Sequence, residues 1–403
     1  MEFTIESDAL KKALQLLNIA IPAKPSHPVL ACVCFEILED SPGILELSGF
    51  DLQIGLSIKL EIGHGKPGII CIPARLLIEY TEKTQGELYC KITKDNALRI
   101  QAGAGKGEIR GMDGEEFPAF PEEGLGAPII ISAPLLMDAF RASREMASPD
   151  QTKQVLTAIN FQGREYPEGE ILRLAGTDGH KGSKIIMDAE IDMKFPQIEE
   201  KKGYALGFDF NIPAPAINLL EKCYKAQPLE EEYIELILVK DEDGLDESIF
   251  LRIGKYSIFS KLKSGEYPNI DKLFPQIFAY EIEIDKKELI KSLSRILAIV
   301  NTEKRKFIDL ILDTGNQKII LQSKDCLAGS GQDSIDCAIK APPDSQELKL
   351  LINPEYLLDC LNILIGAEVI IKLNGSLSPI CLEPALCDFD HQIIMMPCQP
   401  GKG

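Results

Sequence analysis

No stretch of this chain approaches the ~18 consecutive apolar residues that a membrane span requires. Its opening, MEFTIESDALKKAL, has no basic region followed by an apolar run, so no secretory signal is read there and a cytoplasmic protein is expected. No C-x-x-C or H-x-x-x-H pair occurs, which removes the usual signatures of a bound metal. A G-x-S-x-G nucleophile turn is missing too. The glycines of GAGKGE (Gly103, Gly105, Gly107) lack the G-K-[ST] ending and the spacing of a phosphate loop, so that stretch reads as a hairpin turn. Neither a cofactor nor a nucleotide is expected.

What is present points to a folded protein of several domains. Hydrophobic residues make up 45% and charged residues 26% of 403, a globular balance, and at ~100–200 residues per domain the length holds two to four domains. The 11 cysteines are odd in number and scattered, which fits reduced thiols. Cys32 and Cys34 alternate in an apolar run and should share one face of a strand as small buried hydrophobes. The net charge of −19 repels nucleic acid at long range, so any argument for such a partner has to come from where the charges lie.

Internal repetition is the strongest feature. The same order of elements occurs three times. Each copy opens with a β-like stretch and an amphipathic helix: FTIESDALKKALQLL from Phe3, IIISAPLLMDAFRAS from Ile129, and IEIDKKELIKSLSRILAIV from Ile282. In the third, Leu289, Leu293, Ile296, Leu297 and Val300 recur at helical spacing with basic residues between them. A related mid-copy motif follows at Asp51, Asp178 and Asp325, and then a second helix with a proline near its first turn, at Pro73, Pro213 and Pro354. Two copies close on similar phrases, GMDGEEFPAFP and KSGEYPNIDKLFP, and the third on IIMMPCQP. These marks imply an α+β chain of three repeated domains, residues 1–126, 127–276 and 277–403, each with two helices packed on antiparallel sheet.

The chain resembles the bacterial DNA polymerase III β subunit family, the sliding clamps, over essentially its full length. The residues that carry the resemblance are MEFTIESDAL, IPAKPSHPVL from Ile21, IPAR from Ile72, TDGHK from Thr177, FSKLKSGEYPNID from Phe259, and IIMMP from Ile393. The resemblance implies a head-to-tail homodimer whose six domains form a ring, with twelve helices facing the hole. It implies sequence-independent binding of double-stranded DNA, with no chemistry of its own. Its partners would be the catalytic subunit of a DNA polymerase, an ATP-dependent clamp loader and other proteins that carry a clamp-binding motif.

Basic residues on and near the helices are the expected DNA-facing set: Lys24, Arg75, Arg141, Arg144, Lys153, Lys286, Lys287, Lys291 and Arg295, with Lys11, Lys12, Lys222 and Lys225 beside them. Residues 285–306 hold seven Lys or Arg (also Lys304, Arg305 and Lys306) against Asp285, Glu288 and Glu303. Phosphate contacts carry no sequence information and weaken in salt, so they permit sliding.

The resemblance further implies a cleft for an apolar partner peptide. Carried over, its lining is Leu156, Thr177, Gly179, His180, Lys181, Pro268, Lys272, Leu273, Leu377, Pro379, Ile394, Met395, Met396 and Pro397, with Met396 the adaptable centre. The chain departs from the family pattern at Gln154 and Val155, where aromatic residues are expected, and at Ala214, Pro215 and Asp271, where basic residues are common. Two other readings stand beside the clamp: a scaffold paralogue that no longer loads on DNA, and a hydrolase or transferase using His180 and Asp178.

Overall fold

In a computed structural model of the chain, the structure describes residues 1–120, 128–166, 169–188, 207–226, 233–241, 244–301, 306–326, 329–343, 345, 347–387 and 390–399. Among them are six α-helices, two for each sequence copy: α1 (Ser7–Ala20), α2 (Ala74–Thr81), α3 (Ala133–Arg144), α4 (Ala214–Ala226), α5 (Lys286–Val300) and α6 (Pro354–Ile363). None is long and apolar enough to cross a membrane.

The helices form where the apolar spacing puts them. In α5, Leu289, Leu293, Ile296 and Val300 are buried at the expected period, Leu297 is half-buried, and the Asp285 carboxylate caps the helix by accepting from the Glu288 N–H at 2.8 Å. In α6 the Asn353 side chain caps the Glu355 N–H at 2.9 Å, with Pro354 as the first helical residue. Pro73 and Pro213 fall one residue earlier than the sequence suggests: each is the last residue of a strand, and the helix starts at the following alanine. The fixed φ of proline suits both positions.

The described residues divide into two compact units. Met1–Leu136 with Pro215–Leu262 belong to one, and Met137–Asp192, Glu199–Ala214 and Lys263–Gly403 to the other. Each contains one nine-stranded and one four-stranded sheet, antiparallel throughout. In the first unit the nine-stranded sheet joins sequence copies one and two, because Ile54–Glu61 pairs with Tyr256–Lys261 in the register Ile54↔Ser260. In the second it joins copies two and three through Lys181–Asp188 and Asp390–Met395, in the register Lys181↔Met395. The repeats are therefore stitched by backbone hydrogen bonds.

The cores lie between sheets and helices. Phe35, Phe140, Phe161 and Phe250 are among the largest fully buried side chains. A close approach positions α3, since a Cβ on Gly176 would lie 2.0 Å from the Ser143 carbonyl oxygen. The turn at Gly103 joins two hairpin strands, Ala97–Ala102 and Gly105–Arg110, with Gly103 at φ +57, so the glycines do serve a tight turn. The side chains of ten cysteines are described, all free thiols. Seven are buried, and Cys337, Cys387 and Cys398 are half-buried. Cys32, Cys34 and Cys71 share one core cluster, as the alternation implies for the first two.

His391 is buried in the strand Asp390–Met395, 3.1 Å from the Ser183 hydroxyl, and burial holds its imidazole down to about 4. The unfolded chain binds a proton near pH 6.5 that the folded chain refuses, so stability falls as pH drops below that value. Between pH 7 and 5.5 the loss attributable to this group is about 1 kcal/mol. Urea unfolding across that window checks it: a His391→Gln variant should show a flatter pH profile than the wild type.

Candidate functional site

The TDGHK motif forms a locked turn in the second unit. One Asp178 carboxylate oxygen accepts from the backbone N–H groups of His180 (2.7 Å) and Lys181 (2.9 Å). The Thr177 hydroxyl donates to the Lys181 carbonyl (2.7 Å) and accepts from the Gly179 N–H (3.1 Å). Gly179 stands at φ +93, a conformation that side chains resist. The His180 carbonyl accepts from the Met396 N–H at 2.9 Å, tying the turn to the end of the last strand. Asp178 thus shapes a turn through backbone contacts. No group of three possible metal ligands occurs among the described residues.

Strand register sorts the remaining pocket residues onto two faces. Thr177, Gly182, Ile394 and Cys381 lie in one row. The segment from Tyr267 to Phe278 covers this face: Tyr267, Ile270 and Phe274 pack with Ala175, Cys381 and Ile394, flanked by Val155, Leu156 and Phe278. Burial pushes the Tyr267 phenol well up from its ordinary value. From this strap Pro268 and Lys272 reach solvent and Leu273 is 49% exposed; Met396, which follows the last strand, is 42% exposed. Leu377, 61% exposed, and Pro379 sit on or beside the turn after Glu368–Leu373, where Ser378 accepts from the N–H groups of Asn374 and Gly375. Asn374 also bonds to both the Ile277 carbonyl (2.8 Å) and the Ala279 N–H (2.7 Å), fixing the end of the strap.

Lys181 and Met395 pair directly and belong to the other face. There the Lys181 ammonium, nearly buried, meets Asp359 of α6 at 2.5 Å and lies 5.6 Å from the Tyr356 ring centroid. His180, at the turn, stacks on the same ring with centroids 6.0 Å apart. Pro397, half-buried, follows Met396. The structure therefore brings Leu156, Thr177 and Ile394 to an apolar row under the strap, and His180 and Lys181 to a polar edge against α6. Sequence reasoning missed Tyr356, Asp359 and Asn374, although the i, i+3 spacing of Tyr356 and Asp359 on one helix was visible.

The strap is anchored electrostatically. Arg173, almost fully buried, reaches Asp271 at 3.2 Å, and Lys184 reaches it at 3.6 Å while lying 4.6 Å from the Phe274 ring centroid. Arg173 also donates to Gln162 (2.9 Å), whose amide donates to Asp209 (2.6 Å). Asp271, an acid where the resemblance leads to the expectation of a base, is accounted for by these two cations.

The nominated basic residues are more neutralised than their count suggests. Arg75 pairs with Glu79 (3.1 Å), Arg144 with Glu145 (2.6 Å), Lys291 with Glu288 (3.5 Å), Arg295 with Asp333, Lys11 with Asp8 (3.3 Å) and Lys225 with Glu221 (2.6 Å). Lys286 donates to the Leu364 carbonyl (2.6 Å), and partial burial lowers its pKa. Lys153 donates to the Asp178 carbonyl (3.1 Å), so it stands at the TDGHK turn. Arg141 is exposed on α3 and acts electrostatically on Asp138. Among the described residues Lys12, Lys24, Lys222 and Lys287 have no ion-pair partner. A groove of about 550 Å³ between α1 and α2 is lined by Arg75, Glu79 and Glu82 and by Ala23 and Pro25, the chain neighbours of Lys24. Lys304 and Arg305 lie outside the described residues.

Helix pairs on sheets that run across repeat boundaries, with an apolar cleft beside a terminal strand, define a clamp-type fold. Comparison with known proteins agrees. The DNA polymerase III beta subunit N-terminal domain matches residues 1–121 and the C-terminal domain of the same subunit matches 271–399. The chain belongs to the DNA polymerase III beta sliding clamp family. It is 28% identical over 387 residues to the beta sliding clamp of Synechococcus elongatus, covering 95% of this chain and 96% of that one. To the beta sliding clamp of Bacillus subtilis it is 23% identical over 392 residues, with the same coverage. Among solved structures, the Bacillus subtilis DNA polymerase sliding clamp superposes with a TM-score of 0.86 at 20% identity, over 100% of both chains. The Pseudomonas aeruginosa DNA polymerase III subunit beta gives 0.84 at 22% identity, over 99% and 100%.

Replacing Asp271 with Asn leaves two cations facing each other beneath the strap. The variant is expected to lose about 1–2 kcal/mol of stability and to be cut within residues 264–279 before the rest of the chain. Limited proteolysis with mass mapping checks this, and a strap cut no faster than in the wild type rules the anchor out.

Proposed function

We propose that this chain is a sliding clamp: two copies close head to tail around double-stranded DNA and tether the replicative polymerase and other replication or repair proteins for processive synthesis. The observation that carries the reading is end-to-end kinship, with curated beta sliding clamps aligned over 95% of the chain. The three-domain division at residues 126 and 276 is part of this proposal.

Two free edges support closure between copies. The strand Gly105–Arg110 ends one four-stranded sheet and carries Lys106 and Arg110 against the single acid Glu108. The strand Gly329–Asp336 ends the other and carries Asp333 and Asp336. An edge with unpaired backbone groups seeks another strand, and edges of opposite charge favour a heterologous contact over a self-matched one.

Retention by topology asks little of any single DNA contact. Four lysines without an ion-pair partner among the described residues, and several half-neutralised cations, suit a surface that touches phosphate weakly, inside a chain whose overall acidity discourages binding elsewhere. The exposed Met396, Leu273 and Leu377 suit a peptide docking site, because methionine repacks around varied ligands. The Asp178 carboxylate is engaged by backbone N–H groups, which favours this reading over an enzyme built on His180. With no nucleotide-binding motif in the sequence, opening the ring falls to an ATP-dependent loader.

Loading onto a nicked circle tests the proposal. The clamp is expected to stay on the closed circle in high salt and to leave once the circle is cut, as read by gel filtration of labelled protein. A scaffold paralogue would never be retained, and a salt-sensitive binder would leave both substrates alike.

A further inference from the structure

The four-stranded sheet of the first unit runs in the order Glu2–Glu6, Glu87–Ile92, Ala97–Ala102 and Gly105–Arg110. One face turns Phe3, Ile5, Leu88, Cys90, Leu98 and Ile100 into the core. Gly107 belongs to that face, since a Cβ there would lie 2.5–2.6 Å from Tyr80 of α2. The alternate residues point the other way, to solvent. Register arranges them in rows: Glu2, Lys91, Arg99 and Glu108 stand opposite one another across the four strands, and Thr4, Tyr89, Gln101 and Lys106 form the next row. Tyr89, Lys91, Arg99, Gln101, Lys106 and Glu108 line a depression of about 380 Å³ on this face.

Charge is uneven along the face, and the depression lies at its cationic end. The Glu2 carboxylate answers three donors: Lys66 at 2.9 Å, Lys91 at 3.4 Å and the Tyr89 hydroxyl at 2.5 Å. Glu108 is taken by Arg99 at 2.6 Å. Lys106 has no ion-pair partner among the described residues. Around the depression four cations therefore meet two acids, in a chain whose net charge is −19. Glu6 and Glu87 pair at the opposite end of the face. The Lys91 and Arg99 side chains are 53% and 67% exposed, so both remain within reach of an incoming anion. Tyr89 is 39% exposed with its hydroxyl engaged by Glu2, and what it offers a ligand is its ring.

We infer that this depression docks an acidic segment of a partner protein, with carboxylates set against Lys91, Arg99 and Lys106 and one aromatic side chain laid on the Tyr89 ring. Lys91 and Arg99 stand one strand spacing apart, ~4.8 Å, and Lys106 lies a diagonal step further on. An extended peptide brings every second side chain to one face at about 6.7 Å intervals, which these long, flexible cations can span. A nucleic-acid strand suits the face less well, because Glu2 and Glu108 would stand among its unbroken row of phosphates. The site belongs to the first unit, whereas the cleft beside the last strand belongs to the second, and it stands whether or not the chain closes into a ring.

The probes are a rhodamine-labelled peptide of sequence EEEFEEE, its basic counterpart KKKFKKK, and labelled oligothymidylate, each titrated into the full-length protein by anisotropy. The acidic peptide is expected to bind, the basic one not, and binding is expected to weaken as sodium chloride is raised. Lys106 and Glu108 lie on the edge strand proposed for closure between copies, so the decisive variants sit on the two strands farthest from it. Lys91→Glu is expected to weaken the acidic peptide about tenfold. Glu2→Gln removes the competing acid and is expected to tighten binding about threefold, a gain that a misfolded variant could not produce. Failure of the acidic peptide to bind, equal binding of the two peptides, or affinity that responds to neither variant overturns the inference; the last result is also what a peptide lodged in the cleft beside the last strand would give. Oligothymidylate that binds in place of the peptide and responds to both variants overturns it too, and makes the face a nucleic-acid contact.

Discussion

Everything else in this chain depends on antiparallel ladders that cross repeat boundaries. A strand that left its backbone groups unpaired at the end of each copy would carry a row of exposed donors and acceptors. Pairing Ile54–Glu61 with Tyr256–Lys261, and Lys181–Asp188 with Asp390–Met395, removes those rows and fixes the register between copies. A slip of one residue would turn Ile394 to the helix side and Met395 toward the strap, dismantling the apolar row. The cleft is therefore a property of the seam, because neither strand of the pair makes it alone.

That dependence explains how much was legible in the sequence. Helix positions could be read, since Leu10, Leu14 and Leu17 or Leu289, Leu293 and Ile296 are local signals. The repeated motif at Asp178 was visible too, but the turn that its carboxylate shapes went unread although its signal, an aspartate two residues before the N–H it caps, is local. The α+β class and the pairing of two helices with each copy follow from such marks. Which copies share a sheet did not, because the partner of Lys181–Asp188 begins only at Asp390.

The site was legible in the same proportion. Residues on motifs, such as Thr177, Pro268 and Ile394, could be nominated because each motif is contiguous. Tyr356 and Asp359 escaped notice because their role comes from facing His180 and Lys181 across the fold. Asp271 looked like a departure until Arg173 and Lys184 were found against it. The basic residues show the opposite failure: a count of lysines and arginines cannot see that Arg75, Arg144 and Arg295 each hold an acid of their own.

The placement of the thiols shapes how this protein meets oxidants. Seven of the ten described cysteines are buried among apolar side chains, and burial raises Cys90, Cys223, Cys360 and Cys381 to about 12, far from the thiolate that peroxides attack. Of the ten described thiols, Cys337, Cys387 and Cys398 are the ones solvent can touch. Chemical wear is steered to the periphery, and the interior thiols are shielded for as long as the chain stays folded.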